Sequence, residues 1–118
     1  MSHNRLSNLR IVVVEHHDDT RRYLGIFLGQ LGANVVLARN AFEGVEAVKT
    51  SHPNLVLCDI KMPGRDGFDV LSEIRALGPA AGGNVPVIAM SALVKRASAR
   101  MLGFQSCLAK PFTPDNLA

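Results

Sequence analysis

Acidic residues are missing from a long stretch of this chain. From Ile74 through Pro114 there is no Asp or Glu, while Arg75, Lys95, Arg96, Arg100 and Lys110 fall in that window. The formal net charge is only +3, so the charge is uneven rather than extreme. Such asymmetry fits either a solvated basic helix face or a surface for an acidic partner or nucleic acid. Also missing is any apolar run approaching the ~20 residues of a membrane helix, and no signal-peptide pattern opens the chain. The expectation is a cytoplasmic protein without membrane contact. There is no internal repeat or low-complexity tract. No Ser/Thr-Gly-rich phosphate loop follows the first apolar run, which argues against a flavin-binding module. No appended recognition helix fits within the length, which argues against direct nucleic-acid binding. Cysteine is scarce: Cys58 and Cys107 are the only two, each inside an expected strand.

What is present is a chain of 118 residues, 47% hydrophobic, enough for one domain around one core. Residues 1–8 are polar and read as a flexible leading segment, with the folded domain over 9–118. Short β-rich runs alternate with helical periods. Ile11-Val12-Val13-Val14 reads as a buried strand ending in Glu15. Asp18 or Asp19 is placed to cap a helix whose stripe is Leu24, Phe27, Leu28 and Leu31, stopped by Gly32. Val35 to Ala38 is a second strand. Asn40 caps a helix carrying Phe42, Val45 and Val48, with Pro53 beyond its end.

Leu55 to Cys58 forms a third apolar run, closed by Asp59 and followed by the turn residues Pro63, Gly64, Asp66 and Gly67. A buried parallel strand ending in a carboxylate delivers one charged group to a sheet edge, where open α/β sheets place their chemistry. One acid aimed in this way suits a phosphoryl acceptor or a metal ligand. Asp66-Gly67 reads as a turn and helix start, with Val70, Leu71, Ile74 and Leu77 inward. A Gly/Pro/Ala-rich connection, Gly78 to Asn84, leads to a fourth strand, Val85 to Ala89. A short helix around Lys95 to Leu102 ends at Gly103, and Ser106 to Leu108 is a fifth strand. Thr113 with Pro114 starts a last helix. Strands and helices in this alternation imply right-handed βαβ units and a doubly wound parallel α/β sheet.

Four motifs now stand at four successive strand ends: Glu15; Asp59-x-x-Met62-Pro63-Gly64-x-Asp66-Gly67; Ser91-Ala92; and Lys110-Pro111-Phe112. In this order they resemble the receiver domain of two-component response regulators, and Gly103-Phe104-Gln105 through Lys110-Pro111 is similar to receivers attached to hybrid sensor kinases. The resemblance covers nearly the whole chain from Leu9 onward. It implies a flavodoxin-like sheet in order 2-1-3-4-5 with helices on both faces, the fourth helix shortened and the fifth truncated here. It also implies phosphorylation of Asp59 by a histidine kinase or phosphotransfer protein. Lys110 would then supply an ammonium for the phosphoryl oxygens, and Ser91 a switching hydroxyl. Glu15, Asp59 and the backbone carbonyl of Lys61 would hold Mg²⁺, and the Lys110-Pro111 bond would be cis. With that strand order, Cys58 and Cys107 lie two strand spacings apart, about 10 Å, too far for a disulfide. They read as reduced thiols.

The pattern breaks at His16. The family places two acids in succession after strand one, and here Glu15 is followed by His16 and His17. Imidazole is a poor Mg²⁺ ligand and brings no negative charge. Three outcomes stay open: weak Mg²⁺ binding helped by Asp18 or Asp19, preference for a softer ion such as Mn²⁺ or Zn²⁺, or replacement of the metal by His16 itself. His3, His17 and His52 read as solvent-facing residues without a role. Cys107 stands where the family carries a switching aromatic, which weakens that coupling route. The short segment after Ser91, with Lys95, Arg96 and Arg100, suggests a basic partner face for an acidic protein.

The leading function is therefore a phosphoacceptor signalling domain rather than an enzyme, limited to phosphoryl transfer onto its own Asp59 and slow autodephosphorylation. The alternative is a degenerate receiver that binds partners without phosphorylation. A metal-dependent aspartyl phosphatase would want an Asp two residues after the nucleophile, where Lys61 stands.

Overall fold

A computed structural model describes residues 6–62, 64–91 and 106–109, with side chains given as far as Met90. Each apolar run is a strand: β1 (Arg10–Val14), β2 (Asn34–Ala38), β3 (Leu55–Asp59), β4 (Val87–Ser91) and β5 (Ser106–Ala109). Three α-helices lie among the described residues, α1 (Asp18–Gln30), α2 (Ala41–Ser51) and α3 (Gly67–Arg75), with a 3-10 turn at Pro79–Ala81. All pairings are parallel, in the order β2-β1-β3-β4-β5. The central strands are continuous hydrophobic runs because helices cover both of their faces.

Side-chain alternation along each strand divides the core in two. Val12, Val14, Val56, Cys58, Val87 and Ala89 face α2 and α3, meeting Val45, Val48, Val70, Leu71 and Ile74. Ile11, Val13, Leu57 and Met90 face α1 through Leu24 and Leu28. Each aliphatic side chain buried in this way is worth about 1.5–3 kcal/mol. The contact between α2 and β1 is tight at Gly44, where a Cβ would stand 2.7 Å from Val14 Cγ2.

The caps follow local chemistry with some departures. Asn40 accepts from the Glu43 N–H at 2.9 Å and starts α2. Asp66 accepts from the Phe68 and Asp69 N–H groups while Asp69 accepts from the Asp66 N–H, a complete capping box on α3. At α1 the cap position belongs to His17 rather than to Asp18 or Asp19. Both acids lie instead in the first turn, where the helix dipole favours negative charge. Phe42 does not join the α2 stripe and is 65% exposed. β4 begins two residues later than its apolar run, because Pro86 has no N–H to donate and the Val85 N–H turns back to Gly82 O. Arg75 bonds the carbonyls of Gly83 and Val85 at 2.8 and 2.7 Å, tying that connection to the end of α3.

The register runs Cys58↔Ala89↔Cys107, so a full strand separates the two cysteine positions. Cys58 is a free, buried thiol, and burial pushes its ionisation up. The side chains of Ser91 and Cys107, the Lys95–Leu102 helix with its Lys95, Arg96 and Arg100 face, Lys110-Pro111 and the last helix lie outside the described residues. Among the described residues no helix is long and apolar enough to cross a membrane.

Candidate functional site

Glu15 and Asp59 meet because β1 and β3 are parallel neighbours. The register pairs Val14 with Cys58, so the next residue on each strand stands at the same carboxyl edge. This is where the strand order reverses, with the chain going to β2 on one side and β4 on the other. Such a switch point leaves a crevice for ligands. Both carboxylates are buried, Glu15 at 0% and Asp59 at 2% exposure. Two buried acids side by side repel unless positive charge or hydrogen-bond donors surround them.

The loop between β1 and α1 supplies such donors. The His17 N–H donates to Glu15 Oε2 at 3.1 Å. His16 Nδ1 lies 3.1 Å from Asp59 Oδ2 and 3.7 Å from Glu15 Oε2. His17 Nδ1 lies 3.4 Å from Glu15 Oε2, and the two imidazole rings sit 4.0 Å apart. Ligand atoms of Glu15, His16, His17 and Asp59 all fall within 4.8 Å of one another. The loop is fixed from behind by Arg21, whose guanidinium donates to the carbonyls of Glu15 and His16 at 3.0 and 3.4 Å. The same guanidinium bonds Asp18 and holds its carboxyl below the usual range.

The structure thus brings together three of the anticipated residues, Glu15, His16 and Asp59, and adds His17, which faces solvent as expected but also reaches Glu15. The available signal was three consecutive potential donors directly after a buried strand. Asp18 is turned away onto Arg21 rather than toward the pocket. Lys61 is exposed in the loop two residues beyond Asp59. On the backbone register, Asp59 pairs with Met90 and Ser91 with Ala109, so Ser91 sits at the same sheet edge. A four-membered set with two imidazoles does not suit Mg²⁺, which asks for hard oxygen ligands.

The fold and this carboxylate pair match a known class. The profile of the response regulator receiver domain family covers residues 11–118, and the chain belongs to that family, a component of two-component signalling. It is 35% identical over 112 residues to an uncharacterized 14.6 kDa protein of Leptolyngbya boryana, covering 92% of this chain and 84% of that one. It is 34% identical over 111 residues to the sensor histidine kinase RcsC of Escherichia coli K12, covering 92% of this chain and 11% of the kinase. The chain spans less than half the length of several curated relatives it matches. Among solved structures it is similar to the magnesium-bound receiver domain of sensor histidine kinase PA1611 from Pseudomonas aeruginosa. That likeness has a TM-score of 0.81 and 28% identity, with coverage of 94% and 92% of the two chains.

Proposed function

We propose that residues 9–118 act as a phosphoacceptor receiver, with Asp59 taking a phosphoryl group from a histidine kinase or phosphotransfer protein. The observation that carries this reading is a buried Asp59 carboxylate beside Glu15 at the carboxyl edge of the sheet, in a chain of the receiver family. In the transfer, an Asp59 oxygen forms the new O–P bond. The P–N bond of the donor phosphohistidine breaks, and its electron pair leaves with the imidazole. The charge that develops on the phosphoryl oxygens needs donors already in place. Lys110 supplies the ammonium, and Ser91 the hydroxyl whose bond to the phosphoryl group reports the modification to the partner surface. Removal of one such donor lowers the transfer rate by about 10²–10³-fold. The chemistry stops at the protein's own aspartate and its slow hydrolysis, and the setting is the cytoplasm.

The His16–Asp59 contact of 3.1 Å favours a second reading, in which His16 occupies the acceptor and the domain binds partners without phosphorylation. Incubation with acetyl phosphate or phosphoramidate separates the two. The phosphoacceptor reading expects one phosphoryl group, labile to base and to hydroxylamine, that is absent in Asp59→Asn. A chain that takes no label, or whose label survives Asp59→Asn, defeats that reading.

A further inference from the structure

We infer that the pocket at the ends of β1 and β3 binds a first-row transition-metal ion of the zinc or cobalt type, through Glu15, His16, His17 and Asp59, in preference to magnesium. This deepens the receiver reading by naming the ion of the same pocket, and it is measurable without any phosphoryl chemistry. Three observations support it. The first is donor type: two imidazole nitrogens and two carboxylates are a set that Zn²⁺, Co²⁺ and Mn²⁺ accept and Mg²⁺ does not. The second is spacing. Metal–ligand bonds of about 2.0–2.1 Å at tetrahedral angles place neighbouring donor atoms about 3.3 Å apart. The contacts here are 3.1 Å for His16–Asp59, 3.4 Å for His17–Glu15 and 3.7 Å for His16–Glu15. An ion can therefore enter with small side-chain adjustments.

The third observation is preorganisation. Glu15 and Asp59 are almost fully buried and sit on paired strands, so their separation is fixed by the sheet. The two histidines are held by a loop whose carbonyls are clasped by Arg21. His17 is 66% exposed, yet its Nδ1 is directed at Glu15 rather than at water. It is the outermost donor and the one most easily exchanged for an incoming oxygen ligand. A divalent ion also neutralises two carboxylate charges in a site where burial makes their repulsion expensive.

The test uses the whole chain, stripped of metal with a chelator and titrated separately with Zn²⁺, Co²⁺ and Mg²⁺ by calorimetry. Visible absorption of the Co²⁺ form provides a second readout. The expected result is one ion per chain, Zn²⁺ at least 100-fold tighter than Mg²⁺, and the intense visible bands of four-coordinate Co²⁺. His17→Ala is expected to weaken Zn²⁺ at least tenfold, about 1.4 kcal/mol, with Mg²⁺ unchanged. His16→Asp should reverse the preference toward Mg²⁺. Both histidines are partly or largely exposed, and circular dichroism of each variant verifies that it is folded. Mg²⁺ binding as tightly as Zn²⁺ overturns the inference. So does Zn²⁺ affinity unchanged in both His16→Ala and His17→Ala, which puts the ion elsewhere, such as at His3 or His52. Asp59 labelling is scored independently: labelling without Zn²⁺ binding removes the ion site alone, and Zn²⁺ binding without labelling removes the phosphoacceptor reading alone.

Discussion

Gly67 is the first residue of α3, and its N–H donates to Ile60 O at 2.8 Å, closing the loop that follows Asp59. A Cβ added there would stand 2.6 Å from Asp59 O and 2.7 Å from Ile60 Cα. Both are backbone atoms, so no rotamer change relieves the clash, and either the strand end or the helix start must shift. Overpacking of this kind costs about 1–3 kcal/mol. Against it stands the gain of about 0.4–1 kcal/mol that Gly→Ala brings by restricting the unfolded chain. At mid-range the clash wins by about 1.3 kcal/mol, and Gly67→Ala is expected to destabilise by up to about 2.6 kcal/mol. Gly29 provides the internal control: it lies in α1, and a Cβ there meets nothing within 4 Å. Gly29→Ala should stabilise by about 0.4–1 kcal/mol. The assay is urea unfolding at fixed pH and salt. With a slope of about 1–2 kcal/mol per molar for a domain of this size, the Gly67→Ala midpoint falls by up to about 2.6 M while the Gly29→Ala midpoint rises. A Gly67→Ala midpoint equal to or above that of the parent chain, at unchanged slope, refutes the packing argument.

Other substitutions probe the elements around the site. Asp66→Ala removes the capping box of α3 and should cost about 0.5–2 kcal/mol, with faster amide exchange at Phe68 and Asp69; unaltered exchange there counts against the cap. Ile74→Ala, at a fully buried position, should cost about 2–5 kcal/mol in the same unfolding assay, and a loss below 1 kcal/mol would show that the core collapses around the gap. The Arg39 backbone N–H at 2.8 Å, and then its guanidinium, hold the Glu43 carboxyl below its ordinary value of 4.5. A depressed folded value contributes stability that is present above 4.5 and lost as pH falls through that lower value. Glu43→Gln should therefore flatten the acid limb of a stability–pH curve, by a few tenths of a kcal/mol since the group is largely solvated. An acid limb of unchanged steepness would dismiss the contact.

Much of this arrangement was legible in the chain. Ile11 to Val14 and Leu55 to Cys58 announce themselves as strands because burial on both faces leaves no polar alternation. Two parallel strands ending in acids bring Glu15 and Asp59 to one edge without further assumptions. Asn40 three residues before Glu43, and Leu24 four before Leu28, carry their helices equally plainly. Phe42 misleads because its spacing from Val45 matches a stripe, whereas α2 turns Ala41, Gly44, Val45, Ala47 and Val48 inward and leaves the first-turn ring outside. His17 is exposed, as expected of a polar loop residue. That its Nδ1 turns to Glu15 depends on how the β1–α1 loop bends under the Arg21 clasp, which residue type and spacing do not encode.

Three of the four donors in the pocket are consecutive in the chain, and only Asp59 comes from elsewhere. The unfolded polypeptide therefore retains a small local chelate at Glu15-His16-His17 that needs no sheet to exist. Ions gripped by the denatured ensemble subtract from the stabilisation that mass action grants the folded one. Supplying zinc should thus raise the melting temperature by less than the native affinity alone dictates, and replacing His17 should narrow that shortfall.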